Sequence, residues 1–446
     1  MNSLLDFFVQ LIQIPAIIVG FIAFIGLVAQ KKAADEVITG TIKTALSLLI
    51  IAGGATVLIQ GLAPIQKMFE MAFPASNITT FVTFDEAVVS AVQTGPVAAL
   101  GSQIGLTMLF GYIVHLLLAR FTPWHYVYLT GHMIWVHAGA FTIAIYQLGL
   151  GPVWTVIIAS LIDGAYMTFA PAIAQPFVRR ITGGNDVGFA HGQTLLNVLA
   201  GYLGMVVGNK EKSTEDIKLP EKLSFFRDVA VSTSIVMMIV SLGSALAAVS
   251  SAGVSAFEAP VADGGISDGQ SWVIFSFMMA MQFTAGMLIL LYGVRMLIGE
   301  IVPAFEGISQ KVIPNAIPAL DVPVLFAFAP NALLIGLISG LIGQITGMVI
   351  CVALGWPVPI PSMIVAFFAS GTAAIFANST GGRTAAWLGG FLWGFLGWIL
   401  ISFAYHINAF GDLPALGASG LGFTVPDAIV PGIIIHWIGQ LLGILA

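Results

Sequence analysis

Charge is scarce in this chain. Only 8 % of its 446 residues are Asp, Glu, Lys or Arg, against about a quarter in an ordinary soluble domain, so a soluble globule of this length is excluded for want of a wettable surface. The 15 basic and 21 acidic residues leave a net charge of −6. The basic ones sit in short loops, which excludes a nucleic-acid partner. Cysteine is nearly absent. The single one, Cys351, lies in the apolar run MVICVAL, which rules out a disulfide frame and marks an inert thiol, because an apolar setting disfavours the thiolate. The start, MNSLLDFFVQ, lacks a basic n-region, so no cleaved signal peptide is expected and the first span is left to direct insertion. What the chain has instead is 58 % hydrophobic residues, 50 glycines and a mean hydropathy of +1.00. These describe a polytopic, all-α membrane protein.

Hydropathy and the placement of Lys and Arg in short loops yield spans and orientation together. Spans are expected near 8–29, 42–62, 97–118, 125–147, 151–172, 230–251, 272–296, 332–353, 362–379, 385–406 and 428–446, eleven in all. Lys31, Lys32, Arg120, Arg179, Arg180, Arg295 and Arg383 then fall on the cytoplasmic side, with the amino terminus outside and the carboxyl terminus inside. Two stretches resist this count. Residues 63–95 carry Asp85 and Glu86 and read as a partly re-entrant or interfacial excursion that lines a cavity. Residues 186–208 are long enough to cross, but the most basic loop, KEKSTEDIKLPEKLSFFRD, follows them. A re-entrant hairpin keeps that loop inside. An internal repeat is expected between halves 1–208 and 270–446. Gly26 and Gly40 with Lys43 answer Gly293 and Gly307 with Lys311, and TGHMIWVHAG from Thr130 answers TGGRTAAWLGG from Thr380. Repeated halves enclosing a polar site are a recurring transporter plan.

The stretch 293–331 leaves an apolar segment, passes Glu300, Glu306 and Lys311, and re-enters apolar sequence with the lone acid Asp321. Facing lipid, that acid would cost roughly 2.5 kcal/mol or more, so it must face protein or water. Other polar groups that hydropathy cannot account for gather in segments interrupted by glycine or proline. They are Thr83 and Phe84 in the first irregular stretch, His132 in LTGHMIWVHAG, His191 with Gly192 and Gln193 in GFAHGQT, and Ser370 with Asn378 in FFASGTAAIFANSTGG. His137, five residues after His132, lies on another helical face, a poor metal signature. For any one of these residues the plain alternative is helix-to-helix hydrogen bonding. As a set, neutral donors and acceptors with one acid suit a polyhydroxylated solute better than a bare cation, which asks for more carboxylates or carbonyls. No metal and no cofactor is implied.

The strings GTIKT at 40–44, LTGH at 129–132, KLP followed by F-x-D and VSTSIVM, GVRM, AFEGISQKVIP, FAPNA and FANSTGG resemble, in order and over nearly the whole chain, the ascorbate-specific enzyme IIC of the bacterial phosphotransferase system. The resemblance implies an eleven-span fold in the bacterial inner membrane, a core domain carrying the sugar, a V-shaped dimerisation domain, a homodimer, and elevator-like movement of the core. It also implies that the solute is phosphorylated on release by a phosphocysteine of a separate IIB subunit, itself charged by IIA. Residues 1–446 then form a single IIC domain, a transport subunit and not an enzyme by itself, and Cys351 is in the wrong place to substitute. The binding positions carried over are Thr83, Phe84 where the family has Tyr, His132, His191, Asp321 and Ser370. Two family glutamines are replaced, one by Val136 and one by Gly192, with Gln193 beside it. Each loss removes an amide with two donors and an acceptor, so L-ascorbate or a related sugar acid, pentitol or lactone is expected.

Two functions of other classes share these features. An ion-coupled secondary transporter would use the same acid and broken helices but deliver an unmodified solute along a proton or sodium gradient. A passive channel would need a continuous wet pore.

Overall fold

In the computed structural model the described residues are 14–72, 79–93, 95–217, 228–311, 313–326, 328–362 and 364–445. The first half runs α1 (Pro15–Ala29), α2 (Ala34–Ala72), β1 (Thr80–Thr83), α3 (Asp85–Gln93), α4 (Ala98–Phe121), β2 (Tyr126–Tyr128), α5 (Gly131–Tyr146), α6 (Pro152–Thr182), β3 (Gly188–Phe189) and α7 (Thr194–Val206). After α8 (Val229–Ala252), α9 (Val254–Phe257) and α10 (Trp272–Lys311) come β4 (Ile317–Leu320), α11 (Pro330–Leu354), β5 (Val358–Pro359), α12 (Gly371–His406), β6 (Leu421–Gly422) and α13 (Pro426–Leu441). Among the described residues five helical stretches are long and apolar enough to cross a membrane: Ala99–Phe121, Pro152–Thr182, Trp272–Ile289, Pro330–Leu354 and Val365–His406.

Helix positions match the expected spans closely at α4, α8 and α11 and depart elsewhere for physical reasons. α2 runs through Pro64 to Ala72, past the expected end near 62, because Gln66, Lys67 and Glu70 are polar yet good helix formers. Beyond α2 the described residues of the stretch 63–95 form β1 and α3. The same holds for α10, which continues beyond 296 to Lys311. α5 is shorter than the expected 125–147, since Tyr126–Tyr128 is a strand, and α13 stops at Leu441. Residues 186–208 form a two-residue strand followed by a 13-residue helix. The spans expected at 362–379 and 385–406 form a π-helical turn, Val365–Ser370, leading into α12, which breaks at Gly382 (φ 66°, ψ −152°). Only glycine suits that break. Its φ is left-handed, and a Cβ would stand 2.2 Å from Asn209 O. Thr130 precedes α5, whereas Thr380 lies inside α12 two residues before the break. Residues 1–13 of the first span and 218–227 of the basic loop lie outside the described residues, as do the side chains of Arg295, Glu306 and Lys311.

The chain is therefore not wholly helical. Among the described residues six strands of two to four residues form two parallel three-stranded sheets, ordered β5-β1-β6 and β2-β4-β3. Strands this short carry no readable alternation of polar and apolar residues. In one sheet Tyr126, Val127 and Tyr128 pair with Ile317, Pro318 and Ala319, while Gly188 and Phe189 pair with Ala319 and Leu320. In the other, Thr80 and Phe81 pair with Val358 and Pro359, and Val82 and Thr83 with Leu421 and Gly422. Each central strand is thus flanked by two strands from the other half of the chain. The succession β1-α3-α4-β2-α5-α6-β3-α7 is followed, after α8, α9 and α10, by β4, a 3-10 turn (Val322–Leu325), α11, β5, the two pieces of α12, β6 and α13.

The chain divides into two compact units, one of Met1–Ala45, Thr79–Ile217 and Ile298–Ala446, the other of Leu46–Ile78 and Lys218–Leu297. Both sheets belong to the first. In the second, α8 and α10 are tied by hydroxyls, Ser234 Oγ to Thr284 Oγ1 at 2.9 Å and Ser241 Oγ to Ser276 O at 2.9 Å, the kind of link that replaces hydrophobic drive between helices in lipid.

Candidate functional site

Three parallel strands that end together deliver the residues that follow them to one place. Asp321 comes directly after β4, His191 two residues after β3, and His132 in the first turn of α5 after β2. The exits are stitched together by Leu129 N–H to Ala319 O at 3.0 Å, Ala190 N–H to Leu320 O at 2.8 Å and Thr130 Oγ1–H to Ala190 O at 2.5 Å. The result is a triad. His132 Nε2 stands 3.9 Å from Asp321 Oδ2, and His191 Nε2 stands 3.9 Å from Asp321 Oδ1. The two imidazoles meet edge to face at 6.0 Å.

These distances decide what the triad can do. A direct hydrogen bond needs about 2.7–3.2 Å, so the three side chains do not satisfy one another. Each gap instead suits an oxygen that bonds both sides, from water or from a solute hydroxyl. The side chains keep 22 % (His132), 11 % (His191) and 15 % (Asp321) of their surface exposed, enough for a ligand to touch. Two imidazoles and a carboxylate within 4.8 Å are also metal-ligand types. However, bonds of about 2.1 Å to a tetrahedral ion would bring ligand atoms to about 3.4 Å, and His191 Nδ1 has no partner, whereas a metal-bound imidazole normally donates through its other nitrogen.

Around the triad the expected residues divide. Gly192 and Gln193 lead from His191 into α7. A Cβ at Gly192 would stand 2.5 Å from Val425 Cγ1 and 2.8 Å from His137 Nε2, so glycine is required here and a glutamine could not be seated without moving both. Gln193 Oε1 is buried and unpaired. Thr83 ends β1 with its hydroxyl buried and unpaired, and Phe84 N–H bonds to Gly422 O at 3.1 Å. Both therefore belong to the second sheet, which adjoins the triad through Val425 on Gly192. Val136 is fully buried. Ser370 is fully buried, pressed against Gly340 of α11 with its hydroxyl unpaired. No hydrogen bond among the described residues joins it to the triad.

Several residues around the site escape sequence reasoning. Asn197, four residues beyond Gln193, is buried with both amide atoms unpaired; the i, i+4 spacing of two amides in GQTLLNV was the available signal. Asp427 caps α7 from outside, accepting Thr194 N–H and Leu195 N–H at 2.8 Å each. Its cue was an acid following the first proline of an apolar run. Tyr166 Oη lies 2.9 Å from Asp427 Oδ2 and 3.0 Å from His191 O and shares its proton between them. Nothing in a lone tyrosine announces that role.

Paired imidazoles and a carboxylate at the ends of short strands set hydrogen-bond donors and acceptors inside an apolar helical body. The family model for the sugar-specific permease component of the phosphotransferase system matches residues 10–428. The chain belongs to that family. It is also 27 % identical over 426 residues to the ascorbate-specific phosphotransferase-system EIIC component of Mycoplasma pneumoniae (strain ATCC 29342 / M129 / Subtype 1). That alignment covers 87 % of this chain and 64 % of the relative, so the chain spans less than two thirds of the relative's length. As a phosphotransferase-system permease component it is a transport subunit, and its triad falls inside the matched residues.

Proposed function

We propose that this permease component binds L-ascorbate, or a related sugar acid, pentitol or lactone, between His132, His191 and Asp321 and carries it inward by an elevator-like movement. The observation that carries this reading is the pair of 3.9 Å gaps. Each leaves both groups free to bond a solute oxygen standing beside the pair, and the acid between two imidazoles accepts from hydroxyls while the rings donate or accept. Thr83, Phe84, Gly192 and Gln193 complete the proposed binding set. The same reading makes the protein an eleven-span homodimer joined through a V-shaped domain in the bacterial inner membrane, amino terminus outside and carboxyl terminus inside, with the interleaved successions as an internal repeat. Phosphoryl transfer falls to a separate IIB subunit charged by IIA. Cys351, buried with its Sγ 4.0 Å from Trp398 O, is poorly placed for that task.

Uptake of labelled L-ascorbate by cells carrying this chain and its IIB partner tests the coupling. The expected product is phosphorylated solute, lost when the IIB cysteine is removed. Three titratable groups in one site also suit a proton-coupled carrier, and unmodified L-ascorbate accumulating along a proton gradient would establish that rival instead.

A further inference from the structure

The sheet that carries the triad has one edge turned to a helix. Ile317 N–H bonds to His125 O and Leu129 N–H to Ala319 O, so residues 125 and 129 turn their backbone groups toward β4. In an extended strand, Tyr128 turns its own groups the other way. The order β2-β4-β3 leaves β2 at the edge and Tyr128 is fully buried, so both groups need partners from elsewhere. α4 supplies them from residues one turn apart. Tyr112 Oη–H donates to Tyr128 O at 3.1 Å, and Tyr128 N–H donates to His115 Nε2 at 3.0 Å.

Because Nε2 of His115 accepts from a backbone amide, its ring proton sits on Nδ1. That proton goes to Thr168 Oγ1 at 2.9 Å, and the Thr168 hydroxyl proton goes to Gly164 O at 2.9 Å. Every donor in the chain Tyr128–His115–Thr168–Gly164 points the same way, which fixes the tautomer and locks β2 to both α4 and α6. Beyond Tyr128, Thr130 is tied to Ala190, and His132 follows.

We propose that Tyr112 and His115 are positioning residues for the solute site: by clamping the end of β2 they hold His132 opposite His191 and Asp321. This rests on the triad being the solute site. The second sheet provides a control of the same kind. Just past β5, Gln344 Nε2–H donates to Ser362 O at 3.1 Å and Gln344 Oε1 accepts Ser362 N–H at 2.9 Å, a buried clamp from α11 with no triad residue at its end.

The test uses the full chain in lipid nanodiscs, with calorimetric binding of L-ascorbate, thermal unfolding, and the 15N ring resonances of His132 and His191 assigned by substitution. His115→Leu strands the Tyr128 amide and is expected to weaken L-ascorbate binding about 10- to 100-fold; Tyr112→Phe, which removes one hydroxyl, about 3- to 10-fold. Both should move the His132 resonance. His115→Gln, whose side-chain carbonyl can receive the amide, should return affinity to within about 3-fold of wild type. Gln344→Leu should lower the melting temperature while leaving affinity and the His132 resonance in place. The proposal is overturned if His115→Leu leaves both readouts unchanged, if His115→Gln fails to rescue, or if Gln344→Leu shifts them as much. Tyr112→Phe decides the matter should His115→Leu not fold. If Asp321→Asn keeps wild-type affinity, the solute reading falls, and the His132 resonance still judges the clamp.

Discussion

Each central strand is followed closely by an aspartate, and the two aspartates meet opposite circumstances. Asp85, two residues after β1, accepts Thr424 N–H at 2.7 Å, Val425 N–H at 3.3 Å and the Thr424 hydroxyl. Asp321, directly after β4, accepts one donor among the described residues, Val322 N–H at 2.7 Å, and otherwise faces imidazoles held beyond bonding distance. The residue type and the place in the sheet are alike. What differs is what the neighbouring strand exits bring. The β6 exit brings backbone amides and a hydroxyl into contact, while the β2 and β3 exits bring rings that stand off. A carboxylate saturated by its own chain is a brace; one with free lone pairs in a partly open site is an acceptor for something else.

Breaking the brace should have the largest effect. Asp85→Ala leaves two amides and a hydroxyl without a buried partner, and with about 1–3 kcal/mol for each such group a loss of about 3 kcal/mol or more is expected, read as a sharp fall in yield and melting temperature. A protein that unfolds like wild type would erase the distinction. Asp321→Asn should do the reverse. Stability should stay within about 0.5 kcal/mol of wild type, because no protein donor but its own neighbour is lost, while L-ascorbate binding weakens by roughly 1.5–3 kcal/mol, about ten- to a hundredfold. Calorimetry on the folded variant reads this directly.

The smallest change sharpens the contact where the two sheets adjoin. Gly192→Ala drives a methyl into Val425 and should cost about 1–3 kcal/mol of stability, as overpacking does. Val425→Ala in the same chain should restore most of it. If the double variant melts no higher than the single one, crowding at Val425 is not the reason glycine stands there.

Much of the site could be read from residues alone, because a histidine, an acid or a glutamine in apolar sequence has few other reasons to be there. That logic found His132, His191 and Asp321, which come from parts of the chain far apart in sequence. It failed in two ways. Hydropathy ends the second span near 62, although Gln66, Lys67 and Glu70 carry α2 on to Ala72, since it measures transfer to lipid and not helix propensity. It was also blind to the strands: Gly188 and Phe189 carry no pattern, and Pro318 and Pro359 argue against a ladder although both lie in one. Ser370 shows the limit of the method, for an intramembrane hydroxyl reads the same whether it faces a solute or a glycine of the next helix.

The crossed pairing of the strands bears on how the molecule is made. β1 is synthesised early, yet the donors that close its end lie 339 residues further on. At about 5–20 residues per second, the gap lasts on the order of tens of seconds. For most of that interval β1 lacks both flanking strands, β5 at Val358–Pro359 and β6 at Leu421–Gly422, in surroundings that tolerate no bare backbone, and β2 and β3 wait likewise for β4. Neither half can mature on schedule with the ribosome. A nascent chain of this protein is therefore an unfinished object until its last strand arrives, and it stays exposed to membrane quality control up to that moment.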